Sequence, residues 1–519
     1  MTTIPITPQA PAAPQWSTHA NEANRRMTAI WVVTGGVLLA GLALLGLLLR
    51  LTQSTGVLPD RWFYAILTLH GAGMVAVTLM ALAATVWYIV RDELPLSHRV
   101  NVTIYCLAVT AAVLVVIATL AGHFGTGWTF LYPLPSHPGP SAAMGGWNPA
   151  WSYLYEVAVA LVALAFALWG AEILRAGVVR FGNPGRMFGL DLVSGHSKPG
   201  DPNTTTPSII AAGVMAVNGV FTVIPGAVIV ILMLINNANT SFTMPALFAK
   251  ELIYFTGHML VNFDIYLGAA IAYAVLPAYA KRPWQANRVL VLAWLSTMIL
   301  IIFPYFHHLY MDFAQPTGLA IVGQVASYAS ALPSAVVTIF GGVLLVYRSG
   351  MKWTPAPLFL FAGFAGWTIG GVGALIDSTP SVNEYFHNTL WVPGHFHTYM
   401  ALGAVMFLLG GVYHATPLIA GKPLSERIGS IGARFILTGG WIVVLTFFAS
   451  GAMSIPRRYA HVSIPRFEAM ATIGLVGACI AAIGVLMIAG DVLRVYLPGL
   501  SPQVPSPPVP APPLEEVPS

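Results

Sequence analysis

Two histidines separated by one residue, His395 and His397, open an apolar run in Leu390-Trp-Val-Pro-Gly-His-Phe-His-Thr-Tyr-Met400. On an α-helix two residues turn the chain by about 200°, so the two imidazoles leave from nearly opposite faces and one helix serves two cofactors. Four more histidines have similarly apolar surroundings: His70 in Leu67-Thr-Leu-His, His258 in Phe255-Thr-Gly-His, and the pair His307 and His308 after Phe303-Pro-Tyr-Phe. Imidazole is the natural ligand of haem iron, copper and non-haem iron, and it binds without adding charge to an apolar interior. These six ligands suffice for a bis-histidine haem, a mono-histidine haem with an open face and a three-histidine metal. An open iron beside an open second metal is a site for a small diatomic molecule.

The elements that position these rings are membrane spans. The chain has 519 residues, 57% hydrophobic and 8% charged, far below the roughly 25% charged residues of a soluble domain. Apolar stretches of about 20 residues cross a bilayer, and twelve are read here, giving an all-α polytopic membrane protein. They run over 27–49, 63–90, 100–121, 152–174, 207–236, 247–277, 286–304, 318–347, 355–376, 390–417, 431–453 and 467–491. Of the 23 lysines and arginines, seventeen fall on the side that carries both termini and six (Arg50, Arg61, Lys250, Arg457, Arg458, Arg466) on the other. By the positive-inside rule both termini are cytoplasmic, in a prokaryotic inner membrane, and the net charge of +5 reflects this asymmetry and no nucleic-acid partner. Residues 1–26 form a polar N-terminal segment with no signal-peptide pattern, 27–495 the transmembrane catalytic domain, and 496–519 a Pro-rich disordered tail. Cys106 and Cys479, both within spans, offer neither a thiolate centre nor covalent haem attachment. In this topology all six histidines lie in the outer part of the bilayer.

Here the residues resemble a known family. V-P-G-H-F-H, the adjacent His pair and Arg457-Arg458 are similar to catalytic subunit I of the haem–copper oxidase superfamily, its B family above all, over nearly all twelve spans. The resemblance implies that His70 and His397 ligate a low-spin haem, b-type, and His395 a high-spin haem. It implies that His258, His307 and His308 hold the adjacent non-haem metal, copper in preference to iron. Arg457 and Arg458 suit haem propionates, since guanidinium forks pair with carboxylates; His387 resembles a B-family residue near the high-spin propionates.

One position departs from the oxidases. In A- and B-family members a tyrosine four residues after the first metal-binding His is cross-linked to a neighbouring His; here that residue is Asn262. The C-family alternative, six residues before the His pair, is Ile301. Splitting O2 in one step draws four electrons, one of them from that tyrosine, whereas coupling two NO molecules to N2O needs two. The resemblance therefore points to nitric oxide reductases that arose within the oxidase families, with Asn262 supplying a carbonyl to the metal or an amide N–H to bound oxygen. The cytochrome-c-dependent nitric oxide reductases carry Glu there, which Asn262 does not match. A cytochrome c oxidase that reduces O2 is the alternative.

Either reaction consumes protons. Tyr273, Ser334 and Thr338 fall where the B-family channel has polar residues, and Asp264 and Glu156 are acids inside spans, each a relay candidate. The resemblance implies a subunit II with a cupredoxin-like domain, fed by a cytochrome c or a small copper protein. A haem-free transporter also has many spans, but it leaves six histidines at one depth unexplained.

Overall fold

The computed structural model describes residues 17–136, 146–312 and 314–500; the first sixteen residues and most of the Pro-rich tail lie outside these. Twelve helices are long and apolar enough to cross a membrane: α1 (Ala23–Thr55), α2 (Asp60–Val90), α3 (His98–Ala121), α4 (Pro149–Phe181), α5 (Pro207–Ala238), α6 (Ala246–Ala280), α7 (Arg288–Leu309), α8 (Thr317–Val346), α9 (Pro355–Asp377), α10 (Trp391–Ala420), α11 (Glu426–Ala452) and α12 (Pro465–Pro498). All twelve spans expected from the hydropathy pattern are present. Among the described residues the only extended pairing is an isolated bridge between Thr389 and Pro456, because hydrocarbon forces each segment to satisfy its own backbone.

Helix ends follow local chemistry. Asn148, Asn287 and Ser425 accept N-terminal backbone N–H groups of α4, α7 and α11 through their side chains. Gly182 and Gly421 stop α4 and α10 in the left-handed region, at φ +80° and +72°.

The helices differ sharply in burial. The most apolar stretches of α6 and α10 are 78% and 72% buried and that of α2 is 61%, against 22–44% for the other nine. These three interior helices carry His70, His258, His395 and His397. Helix α10 is drawn against α9 by a glycine stripe. A Cβ at Gly366 would lie 2.1 Å from the Leu402 carbonyl oxygen, one at Gly370 2.2 Å from the Tyr399 ring, and one at Gly373 3.1 Å from His395 Nδ1. Small residues of this kind let membrane helices approach backbone to backbone. Helix α10 also carries a π turn at Met400–Ala404, and α8 is broken at Pro333 and continues through a second π turn, Val336–Phe340.

Gly366→Val must displace backbone, so its cost should exceed the roughly 1–3 kcal/mol of ordinary overpacking. The expected result is a clear fall in Tm of the detergent-purified protein. Gly490→Ala, where a Cβ meets nothing within 4 Å, should leave Tm unchanged.

Candidate metal and cofactor centre

A cavity of about 530 Å³ runs through the interior and is lined by all six histidines. On one side, α2 and α10 present His70 and His397 with ring centroids 6.3 Å apart and planes 18° from parallel. Two imidazoles on opposite faces of one metal, each with a metal–nitrogen distance of about 2 Å, require centroids about 6 Å apart. On the other side, α6 and the 3-10 turn Pro304–Leu309 gather His258, His307 and His308, whose donor nitrogens all lie within 4.8 Å of one another. His395 leaves α10 on the face opposite His397, against α9.

The rings are held through their Nδ1 atoms. His70 Nδ1 lies 2.8 Å from the Leu42 carbonyl, His395 Nδ1 2.9 Å from that of Gly370, and His397 Nδ1 2.7 Å from that of Pro393. A carbonyl only accepts, so these nitrogens carry the proton and Nε2 keeps its lone pair for a metal. His307 Nδ1 lies 3.0 Å from Ser327 Oγ, and because Ser327 donates to Gly323 O, it accepts from the ring.

Arg457 and Arg458 close the cavity in the loop between α11 and α12. Arg457 donates twice to Asn388 Oδ1, at 2.6 and 3.1 Å, and Arg458 donates to Thr129 Oγ1 at 3.3 Å. Neither makes an ion pair with a carboxylate among the described residues. Burial, and then the neighbouring Arg458, pull the Arg457 guanidinium down to about 10, and burial lowers Arg458 as well. Both stay charged at neutral pH; their hydrogen-bond partners are neutral, and although the Asp377 carboxyl on the cavity wall acts on Arg457 it makes no ion pair with it, so the two desolvated cations leave room for the carboxylates of a bound group. His387 also lines the cavity; burial, then Arg457, lowers its pKa and keeps its ring neutral.

Asn262 lies one helical turn beyond His258 and lines the same cavity. Its Nδ2 donates to the His258 carbonyl at 2.9 Å, leaving Oδ1 without a protein partner. Of the phenols near the ligands, Tyr399 lines the same cavity with its ring centroid 5.4 Å from that of His395. Tyr305 faces Glu251, and Tyr310 donates to Ser378 O. Tyr254, which the sequence reading did not single out, stacks on His308 at 5.2 Å between centroids with its hydroxyl facing Arg457. Its signal was available: it lies one turn before His258 on the same helix.

Of the polar residues expected to carry protons, Tyr273 and Thr338 meet at 2.5 Å. Ser334 is buried beside Tyr266 with its hydroxyl unpartnered. Asp264 and Glu156 are fully buried, lack hydrogen-bond partners and do not line the cavity. Arg50 was counted among the loop cations; instead it is buried in α1, lines the cavity and sits 4.7 Å over the Phe447 ring. The helix runs past the expected span end at residue 49 to Thr55, which brings Arg50 inside it.

Fold and cavity together define a polytopic helical membrane protein with an imidazole-lined interior built for metals. Residues 26–482 match the family described as Cytochrome C and Quinol oxidase polypeptide I, and the chain belongs to that family. It is similar to cytochrome c oxidase subunit 1 of Cereibacter sphaeroides, 27% identical over 421 residues, covering 71% of this chain and 70% of that protein. The corresponding subunit of Thermus thermophilus is 27% identical over 267 residues, 48% of this chain and 47% of that protein. The first of these matches thus span about half the length of the relatives. A heme-copper terminal oxidase dimer solved by cryo-EM shares the fold, with TM-score 0.75 and 17% identity over 92% of this chain and 84% of that one.

Family membership implies haems and copper or a related metal, and the residues fit them. The parallel pair has the spacing of axial ligands, the three clustered nitrogens suit one ion, and the unneutralised arginines suit propionates. Ser327→Ala removes only the partner of His307 Nδ1. Since such partners are worth about 10–100-fold in metal affinity, it should lower retention of the non-haem metal after chelator dialysis while the low-spin haem absorbance stays unchanged.

Proposed function

We propose that this chain is the catalytic subunit of a respiratory reductase that converts nitric oxide to nitrous oxide. His70 and His397 hold a low-spin haem, b-type, and His395 a high-spin haem. His258, His307 and His308 hold a non-haem metal, copper in preference to iron, and Arg457, Arg458 and His387 bind the propionates. Two metals facing one cavity supply one electron each, which meets the demand of 2 NO + 2 e⁻ + 2 H⁺ → N2O + H2O. The observation that carries the choice of gas is Asn262. It cannot supply the further electron that O2 cleavage takes from a phenol, and its Oδ1 is free to orient a ligand of the cavity. Arg457 and Arg458 supply the charge and His387 a neutral donor beside them; Asn262 shapes the ligand pocket.

Electrons come from a subunit II with a cupredoxin-like domain, supplied by a cytochrome c or a small copper protein. The chain sits in a prokaryotic cytoplasmic membrane with both termini inside, an orientation that the asymmetry of lysines and arginines supports. A second reading, O2 reduction to water, is favoured by the relatives, which are named cytochrome c oxidase subunit 1.

The purified complex, given an artificial electron donor, should reduce NO to N2O with little O2 consumption. Rapid cyanide-sensitive O2 uptake without N2O production refutes the choice of gas. Metal analysis should find two irons as haem and one copper per chain, whereas a third iron would exclude the copper assignment.

A further inference from the structure

Aromatic rings form an unbroken line from the histidine cavity to the inner side of the molecule. Tyr399 lies one turn inward of His395 on α10, with ring centroids 5.4 Å apart, and lines the cavity. Its ring is seated on bare backbone, since a Cβ at Gly370 would stand 2.2 Å from it, and its hydroxyl faces the Trp367 indole on α9. From Trp367 the line passes to Tyr266 on α6 at 5.8 Å between centroids, to Trp294 on α7 at 5.5 Å, to Tyr273 on α6 at 6.2 Å and to Trp284 at 4.7 Å. Trp284 stands half-buried in the loop between α6 and α7, beside the exposed Lys281 and Arg282. It too has a seat made by glycine, for a Cβ at Gly341 would stand 2.7 Å from its ring.

Packing alone does not require this composition. Phenylalanine is the commonest aromatic of the chain, with 25 residues against 19 tyrosines and 14 tryptophans, and it fills similar volume with no polar atom to bury. Every ring of the line is instead an indole or a phenol, the rings that give up an electron most readily, and from Trp367 to Trp284 each meets the next edge-on. The other phenol lining the cavity, Tyr254, has ring contact only with His308 among the described residues, so no line continues from it. Tyr399 stands on the His395 side and not beside the three-histidine cluster, so it does not take the place of the phenol missing at position 262.

We propose that this line of rings drains oxidising equivalents from the cavity to the inner surface, a protective activity toward hydrogen peroxide. It rests on the reading that the cavity holds redox metals, and it holds whichever gas is reduced. Peroxide forms where reduced metals meet O2 without the electrons to cleave it, which is the situation Asn262 creates. Reducing one H2O2 to two H2O takes two electrons and two protons. Each electron leaves Tyr399 for the cavity and is replaced from Trp367, and the deficit passes ring by ring to Trp284, where a thiol of the inner medium fills it. Tyr399 releases its O–H proton to the cavity as it loses the electron and takes one back as Trp367 refills it. Two thiols become a disulfide and release as many protons as the cavity consumes, so H2O2 + 2 RSH → 2 H2O + RSSR balances.

The test exposes the oxidised complete complex to hydrogen peroxide with and without glutathione. Without thiol, peptide mass spectrometry of the wild type should find oxidation concentrated at Trp284; with thiol, that oxidation should disappear and loss of haem absorbance should slow several-fold. Trp367→Phe keeps a ring but removes the indole: NO reduction should stay at the wild-type rate, oxidation should move to Tyr399, and the thiol should no longer protect the haem. Oxidation scattered over other exposed residues in the wild type, or thiol protection unchanged in Trp367→Phe, overturns the proposal. If Trp367→Phe fails to retain haem, Trp284→Phe at the surface decides: lost protection supports the line and full protection overturns it. A wild type without haem refutes both this proposal and the preceding reading, one that turns over only O2 refutes the choice of gas alone, and one that reduces NO but leaves Trp284 intact under peroxide refutes the line of rings alone.

Discussion

An imidazole buried among hydrocarbon side chains has two nitrogens to satisfy and no water to do it, and this requirement arranges the interior of the molecule. Helix carbonyls have a spare lone pair, but side chains of the following turn normally shield it. Here the shield is removed by glycine. A Cβ at Gly46, one turn after the accepting Leu42, would stand 2.7 Å from the His70 ring, and one at Gly373, one turn after Gly370, would stand 3.1 Å from His395 Nδ1. The glycines cost helix propensity, and in return each ring reaches a carbonyl that fixes its tautomer and direction. The lone pair left on Nε2 then has one use in an apolar cavity, which is to bind a metal.

The same logic explains why the ligand helices are the innermost. A cavity wide enough for planar groups cannot open to lipid, so α2, α6 and α10 are enclosed by the other nine. Helix α10 serves both sides of the cavity at once because His395 and His397 differ by two residues, and two residues reverse the face. That economy demands close approach to α9 on one side and to α2 and α11 on the other, which the glycines of α9 and the Phe447 ring 5.1 Å from His397 provide.

Most of this was legible in the sequence because it rests on periodicity and depth. Span length located all twelve helices, and charge asymmetry placed the six histidines at one level before any geometry was known. The two-residue spacing of His395 and His397 forecast their opposite faces. What escaped was whatever depends on tertiary neighbours. Ser327 is an ordinary span serine until the turn at Pro304–Leu309 brings His307 to it. Arg50 read as a loop residue because it ends an apolar run, yet α1 continues past it to Thr55 and buries it. The π turns have no residue pattern distinguishable from regular helix, and it is one of these that places Thr338 against Tyr273. Tyr254 lies one turn outward of His258, on the side away from the family tyrosine position, and only the fold brings it to His308.

On the proposed reading, Asn262 shows how a catalytic position is vacated without harm to the fold. A phenol one turn beyond His258 would project into the cavity, and replacing it by a small apolar residue would leave only a void. The carboxamide folds back to donate to the His258 carbonyl, so its N–H is satisfied within its own helix. Its other end still presents an acceptor to the cavity, and the Tyr254 phenol is turned to the arginine face. On that reading the electron that a cross-linked tyrosine would lend is withdrawn, while the histidine ligands of both metals are kept. A centre arranged in this way retains what a two-electron reduction needs and lacks what a four-electron cleavage takes from its protein.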